Sequence, residues 1–218
     1  MRFDLFLESI PKITNMPLPG QESHYKMTSS LRFKELKNFT EQRLHAKKAG
    51  VLMLFYPKQS VDTSFVLIHR KSYPGVHSNQ VGFPGGKVEQ YDRDLKETAL
   101  RETFEEVGVP PSQVQIIRSL TDVYIPPSNF LVSPYLGFTR EEPSFIPEEA
   151  EVEQIIEVPL AEFLHEKAVF ETVATTSFAS NIQVPAFKLR GYTVWGATAM
   201  MLNEVKELLN AAITRHYL

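Results

Sequence analysis

Segments of strand character alternate with segments of helical spacing along this chain, and the alternation predicts an α/β fold. Two runs rich in β-branched and aromatic residues, Val51 to Tyr56 and Phe65 to His69, flank the polar stretch Lys58 to Thr63, the pattern of a hairpin. A helix-forming stretch follows from Asp94 to Val107. A longer amphipathic one, Trp195 to His216, carries Ala199, Leu202, Val205, Leu208, Leu209 and Ala212 along one side.

The other elements follow in chain order. Phe3, Phe6, Leu7 and Ile10 have helical spacing, and Pro11 is expected to end that helix. Met16 to Gly20 reads as an extended linker. Phe33 to Lys48 is polar and partly helical, with Leu36, Phe39 and Leu44 turned inward and Gly50 breaking it. Val114 to Leu120 and Leu131 to Phe138 read as strands. The segment between them, Tyr124 to Phe130, is either a wall of a pocket or a stiff connector whose aromatics fill the core. Glu151 to Val158 is a strand and Leu160 to His165 a short helix. Phe170 to Ser177 and Val184 to Leu189 form a hairpin turning near Ser180 and Asn181, and Trp195 is expected in the core.

The 218 residues suit one large domain better than two. Hydrophobic residues at 43% and charged residues at 22% are ordinary globular values. A formal charge of -3 argues against a binder of nucleic-acid backbones, which carry a basic excess. There are no cysteines, so disulfides and thiolate metal sites are excluded and a reducing compartment fits. No apolar run approaches the ~18 residues of a membrane span. The first ten residues lack a secretory apolar core, and His216-Tyr217-Leu218 is a poor peroxisomal signal. A cytoplasmic location, with no membrane partner, is the expectation.

The stretch from Phe83 to Val109 carries the chemistry. It opens on Pro84-Gly85-Gly86 and becomes helical after Asp94, which with Glu97 has capping-box spacing. Gly108 stands where a C-terminal cap belongs. Wound at about 100° per residue, the helix brings Glu102, Glu105 and Glu106 into one arc. Leu100, Thr103, Phe104 and Val107 are expected roughly opposite, as the docking face. Like charges at such spacings repel by roughly 0.2–0.5 kcal/mol per pair. A divalent cation reverses that sign, and clustered hard oxygens suit Mg²⁺ or Mn²⁺. Acidic faces are also common on solvated helices. The Gly-Gly turn, Arg101 beside Glu102 and the stop at Gly108 tip the reading toward a site.

These residues resemble the Nudix box, G-x5-E-x7-R-E-U-x-E-E-x-G-U, at Gly86, Arg101, Glu102, Glu105, Glu106, Gly108 and Val109. Asp92 stands where the first Glu belongs, eight residues rather than seven precede Arg101, and Thr103 takes an aliphatic position. The insertion leaves R-E-x-x-E-E intact and puts the role of Asp92 in doubt. The resemblance implies a Nudix fold, a mixed β-sheet sandwiched between helices (α/β/α), over residues 1–218 with an N-terminal extension to about 48. It also implies hydrolysis of a nucleoside diphosphate linked to another group. Mg²⁺ or Mn²⁺ would be held by Glu102, Glu105 and Glu106 and by the carbonyl of Gly85 or Gly86. Arg101 would hold a glutamate in place.

Upstream, the run from Val66-Leu67 through Arg70 to Gln80-Val81 and Phe83-Pro84-Gly85-Gly86 is similar to a signature of coenzyme A pyrophosphatases, although Gly75 and Asn79 depart from it. Pro17 to Gly20, Ile125 to Asn129, Val158 to Leu160 and Val194 to Ala199 also look like that group. The implied substrate is coenzyme A or a derivative, cut to 4′-phosphopantetheine and adenosine 3′,5′-bisphosphate. Arg70, Gln80, Phe83, Gly85 and Gly86 are the implied binding residues. Lys71 reads as a solvated cation or a phosphate contact, and His77 as a pocket or loop residue. ADP-ribose or dinucleoside polyphosphates are the competing substrates, and a non-catalytic nucleotide-binding module the competing class. Glutamates crowd the region from Glu141 to Glu162, and Glu149 or Glu151 are candidates for a general base. The oligomeric state stays open, a homodimer among the options.

Overall fold

The computed structural model describes residues 1–29, 43–72, 79–174 and 181–213. Strand β1 (Lys47–Lys58) is its axis. β7 (Phe130–Phe138) runs parallel to β1 along one edge, from Lys47↔Phe130 to Phe55↔Phe138. β2 (Asp62–Arg70) folds back antiparallel on the other edge, but only from Phe55↔Phe65 to Lys58↔Asp62. Beyond that the two strands part. The chain from 81 to 87 fills the fork: β3 (Val81–Gly82) pairs with β2, and β4 (Gly85–Lys87) pairs with β1. Gly85 and Gly86 therefore lie where the sheet opens.

β5 (Gln115–Ser119) and β6 (Val123–Ile125) line the far edge of β7, and β8 (Val152–Pro159) lies antiparallel to β2. Helices cover both faces, because β1 and β2 alternate their side chains. Leu52, Leu54, Tyr56, Val66 and Ile68 pack with Ala99 and Val107 of α3 (Leu95–Val107). Met53, Phe55, Phe65 and Leu67 join the other cluster, built with α1 (Phe3–Asn15) and α5 (Ala197–Ile213). The result is the α/β/α sandwich expected. The short helices α2 (Gln21–Tyr25) and α4 (Leu160–Leu164) flank α5. A small sheet of β9 (Val169–Ala174), β10 (Ile182–Leu189) and β11 (Tyr192–Val194) packs on the α5 side through Phe187, Leu189 and Val194.

Several expectations change. Pro11 does not end α1, which continues to Asn15. Ile13 is fully buried, and its packing outweighs the loss of one helical N–H. Gly50 does not break a helix; it sits inside β1, opposite Gly86. A Cβ at Gly50 would lie 2.1 Å from the Leu95 carbonyl, so the glycine lets α3 settle directly on the sheet. Trp195 is half-buried rather than in the core, and β11 precedes it. Phe33, Leu36, Phe39, Gly75, His77 and Ser180 lie outside the described residues. α1 is no loose appendage: Phe3 and Phe6 share the core with Phe55, Phe65 and Phe138.

Candidate functional site

α3 begins on a cap. Asp94 Oδ1 accepts the Glu97 N–H at 2.8 Å, while Glu97 Oε2 reaches back one residue further than a capping box requires, to the Arg93 N–H at 2.7 Å. Gly108, at φ 77°, closes the helix with its N–H on the Phe104 carbonyl. Between these ends the faces differ from the simple wheel. The buried stripe is Ala99, Thr103, Glu106 and Val107, and Phe104 is 50% exposed. Phe104 is therefore no part of the docking face, because the sheet meets the helix along the 99–103–106–107 line. The three box glutamates line one cleft, but at different depths: Glu105 is exposed, Glu102 half-buried, and Glu106 only 2% exposed.

Glu106 enters the fork between β1 and β2. Its Oε2 accepts the Gly85 N–H at 2.7 Å, and its Oε1 lies 2.8 Å from Arg70 Nη1. That second contact is an ion pair without hydrogen-bond alignment, and among the described residues Oε1 accepts no aligned hydrogen bond. Arg70 Nη2 donates to the Gly85 carbonyl at 2.7 Å. Burial pushes the Glu106 carboxyl up to about 7; Arg70 and the Gly85 N–H oppose the rise, while Glu102 and Glu151 add to it. Glu102 is also raised, first by burial. It lies over Gly86, where a Cβ would come within 2.5 Å of its carboxyl. This close approach explains the second glycine.

Arg101 ties the outer glutamates together, with Nη1 2.9 Å from Glu102 and 2.8 Å from Glu105. Asp92 acquires its role here. It takes Arg101 Nε at 2.9 Å and Nη2 at 3.0 Å, and accepts from Thr98 Oγ1 and the Glu89 N–H. Those bonds, Arg101 foremost, hold its carboxyl down at about 2. The inserted residue thus leaves a carboxylate still able to anchor the arginine from the loop before α3.

Gly85 and Gly86 line one of two clefts and touch Glu106 and Glu102, which line the other. The cleft of the glutamates, of about 260 Å³, is acidic and lined by Glu89, Tyr91, Arg101, Glu102, Glu105, Glu106, Glu148 and Glu151. Of the two candidate bases only Glu151 lines it, and its carbonyl accepts the Lys71 N–H at 2.9 Å. The other cleft, of about 660 Å³, is largely apolar. Arg70, Gln80, Phe83, Gly85 and Gly86 all line it, so the expected binding residues share one wall. Tyr124, Ile125, Pro127 and Phe130 form another wall, which favours the pocket reading of that loop. Sequence reasoning missed His69, Tyr192, Thr198 and Met200, which reach the cleft from three separate elements. The run Val194 to Ala199 was the one signal near them.

Among the described residues no three acidic or histidine side chains form a closed cation cage. The box carboxylates are instead shared between Arg101 and Arg70. Their chemistry still fits a hard divalent ion. It comprises several carboxylates, the Gly85 carbonyl, and a buried oxygen on Glu106 without an aligned donor.

The NUDIX domain pattern matches residues 44–176. "Nudix hydrolase 15, mitochondrial" of Arabidopsis thaliana is 31% identical over 191 residues, which cover 84% of this chain and 66% of that protein. The chain thus spans just under two thirds of the plant relative. "Uncharacterized Nudix hydrolase NudL" of Pectobacterium atrosepticum is 33% identical over 65% of this chain and 73% of its own. Among solved structures, the Nudix hydrolase RenU of M. smegmatis superposes with a TM-score of 0.53 at 14% identity, covering 76% of this chain and 87% of that one.

Proposed function

The chain belongs to the NUDIX family, its domain pattern spanning residues 44–176, and from that premise we propose that it hydrolyses the pyrophosphate bond of coenzyme A or its derivatives. Water adds to one phosphorus of the anhydride and the bridging P–O bond breaks, releasing 4′-phosphopantetheine and adenosine 3′,5′-bisphosphate. The observation that carries this reading is that Gly85 and Gly86 line the larger cleft while touching Glu106 and Glu102 of the acidic one. A diphosphate lying across the two glycines meets the glutamates on one side, while the rest of the substrate has a roomy apolar cleft on the other.

Glu102, Glu105 and Glu106 would hold Mg²⁺ or Mn²⁺, with the Gly85 or Gly86 carbonyl. Bound there, the ion neutralises diphosphate charge and lowers the pKa of a coordinated water. Glu151, exposed and lining the acidic cleft, would accept a proton from the attacking water. Arg101, anchored by Asp92, orients Glu102 and Glu105 and keeps their mutual repulsion in check. Gln80 offers a side-chain amide to the substrate in the larger cleft. Phe83, 3% exposed, supports the Gly-Gly turn beneath it.

The test is product analysis with Mg²⁺ over coenzyme A, ADP-ribose and diadenosine polyphosphates. The expected result is the two named products from coenzyme A, formed faster than any product from the other substrates. Preference for ADP-ribose or a dinucleotide would replace the substrate and keep the chemistry. No turnover of any of them would leave a binding module.

A further inference from the structure

Arg70 lines the larger cleft and pairs with Glu106, a residue that lines the acidic one. Its guanidinium is committed to two oxygens, Oε1 of Glu106 and the carbonyl of Gly85. Both are hard anionic or dipolar oxygens that a divalent ion would use. Oε1 is also buried and lacks an aligned donor, so the arginine compensates its charge without satisfying it as an acceptor. A guanidinium and a divalent cation approaching those two atoms from the same side compete for their lone pairs and repel each other at that range.

We infer that Arg70 is a placeholder for the divalent ion, neutralising Glu106 in the metal-free protein and released toward the larger cleft when the metal arrives. This rests on the metal-site reading above and deepens it. The released side chain keeps its charge and its five donors, and it lines the larger cleft beside Gly85 and Gly86, across which the diphosphate is proposed to lie. Metal binding thereby converts a structural ion pair into a phosphate contact. The two ligands are then linked: metal loading strengthens phosphate binding, and by reciprocity the phosphate strengthens metal binding. The same geometry explains why a buried arginine–glutamate pair is built with its second bond to a backbone carbonyl. The side chain, 21% exposed, is retained by contacts that an ion replaces, not by packing on all sides.

The experiment measures Mn²⁺ binding by calorimetry, without nucleotide, to the wild type, Arg70→Met, Arg70→Lys and Glu106→Gln. Removal of the competitor predicts that Arg70→Met binds Mn²⁺ tighter, by about fivefold or more, with the lysine variant in between. A second titration uses the non-hydrolysable methylene analogue of ADP. Saturating Mg²⁺ raises its affinity in the wild type by about fivefold or more beyond the gain in Arg70→Met, where only the ion's own contact with the diphosphate remains. Equal or weaker Mn²⁺ binding by Arg70→Met overturns the proposal and makes Arg70 a fixed support for Glu106. If the methionine variant does not fold, the lysine variant decides on the same criterion. Absence of Mn²⁺ uptake by wild type and variants alike removes the metal site itself, and with it both readings.

Discussion

The carboxylates of Glu204 and Glu106 are both buried, and their surroundings are opposite. Glu204 on α5 is fully buried and well supplied: Thr121 Oγ1 at 2.6 Å, His24 Nε2 at 3.0 Å, and the Gly20 and Thr121 N–H groups at 3.2 Å. Burial pushes its carboxyl up, but the bonds from His24 and Thr121 outweigh that, and its pKa falls below the ordinary value. Glu106 is buried almost as deeply, with one aligned donor, one arginine contact and two neighbouring carboxylates, and its pKa rises to about 7. Burial alone therefore does not mark a functional acid. The number of donors aimed at it does, and the under-supplied one is where a cation has something to gain.

The contrast can be broken by exchanging charge for amide. Glu106→Gln should lower Mg²⁺-dependent turnover by about 100-fold or more while the metal-free protein, measured by denaturant unfolding at pH 8, is no less stable than wild type. Glu204→Gln should do the reverse. Stability falls by about 3–5 kcal/mol as a buried network loses its acceptor charge, and turnover of the folded fraction changes little. If the two variants behaved alike, the distinction would be void.

Asp92→Asn probes the outer half of the site. Its bonds to Arg101 are weakened, so Glu102 and Glu105 lose their orienting partner, and metal affinity or turnover should fall by about 10–100-fold. A wild-type value for both would return Asp92 to a loop residue.

The gentlest test is pH. The folded pKa of Glu106 stands above its ordinary value of 4.5. Its contribution is fully present below that value and is lost as pH rises through about 7, with a slope of at most about 1.4 kcal/mol per unit. Glu204 is lowered, so its contribution is present at neutral pH and disappears as pH falls through its folded pKa. Denaturant unfolding from pH 5 to 8 should show stability declining in the wild type and a flatter profile in Glu106→Gln. Saturating Mg²⁺ should remove the decline, because the ion binds the ionised form. The same profile in the two proteins would exclude Glu106 as its source.

The sequence by itself determined the local parts. The α3 cap at Asp94, its stop at Gly108, the strand pair around residue 60 and the buried stripe of α5 all follow from capping, backbone and periodicity rules that act over a few residues. The order R-E-x-x-E-E was equally legible, since one helix carries it. Only the tertiary structure decided that Glu106 lies in the fork of the sheet, that Arg70 meets it across 36 residues of chain, and that Gly50 and Gly86 sit under α3. It also decided that Phe104 faces outward, and that His69, Thr198 and Tyr192 share a cleft. Depth and neighbours depend on where β1 and β2 part. That divergence is set by long-range pairing of 81–87 with both strands, which no short window of residues encodes.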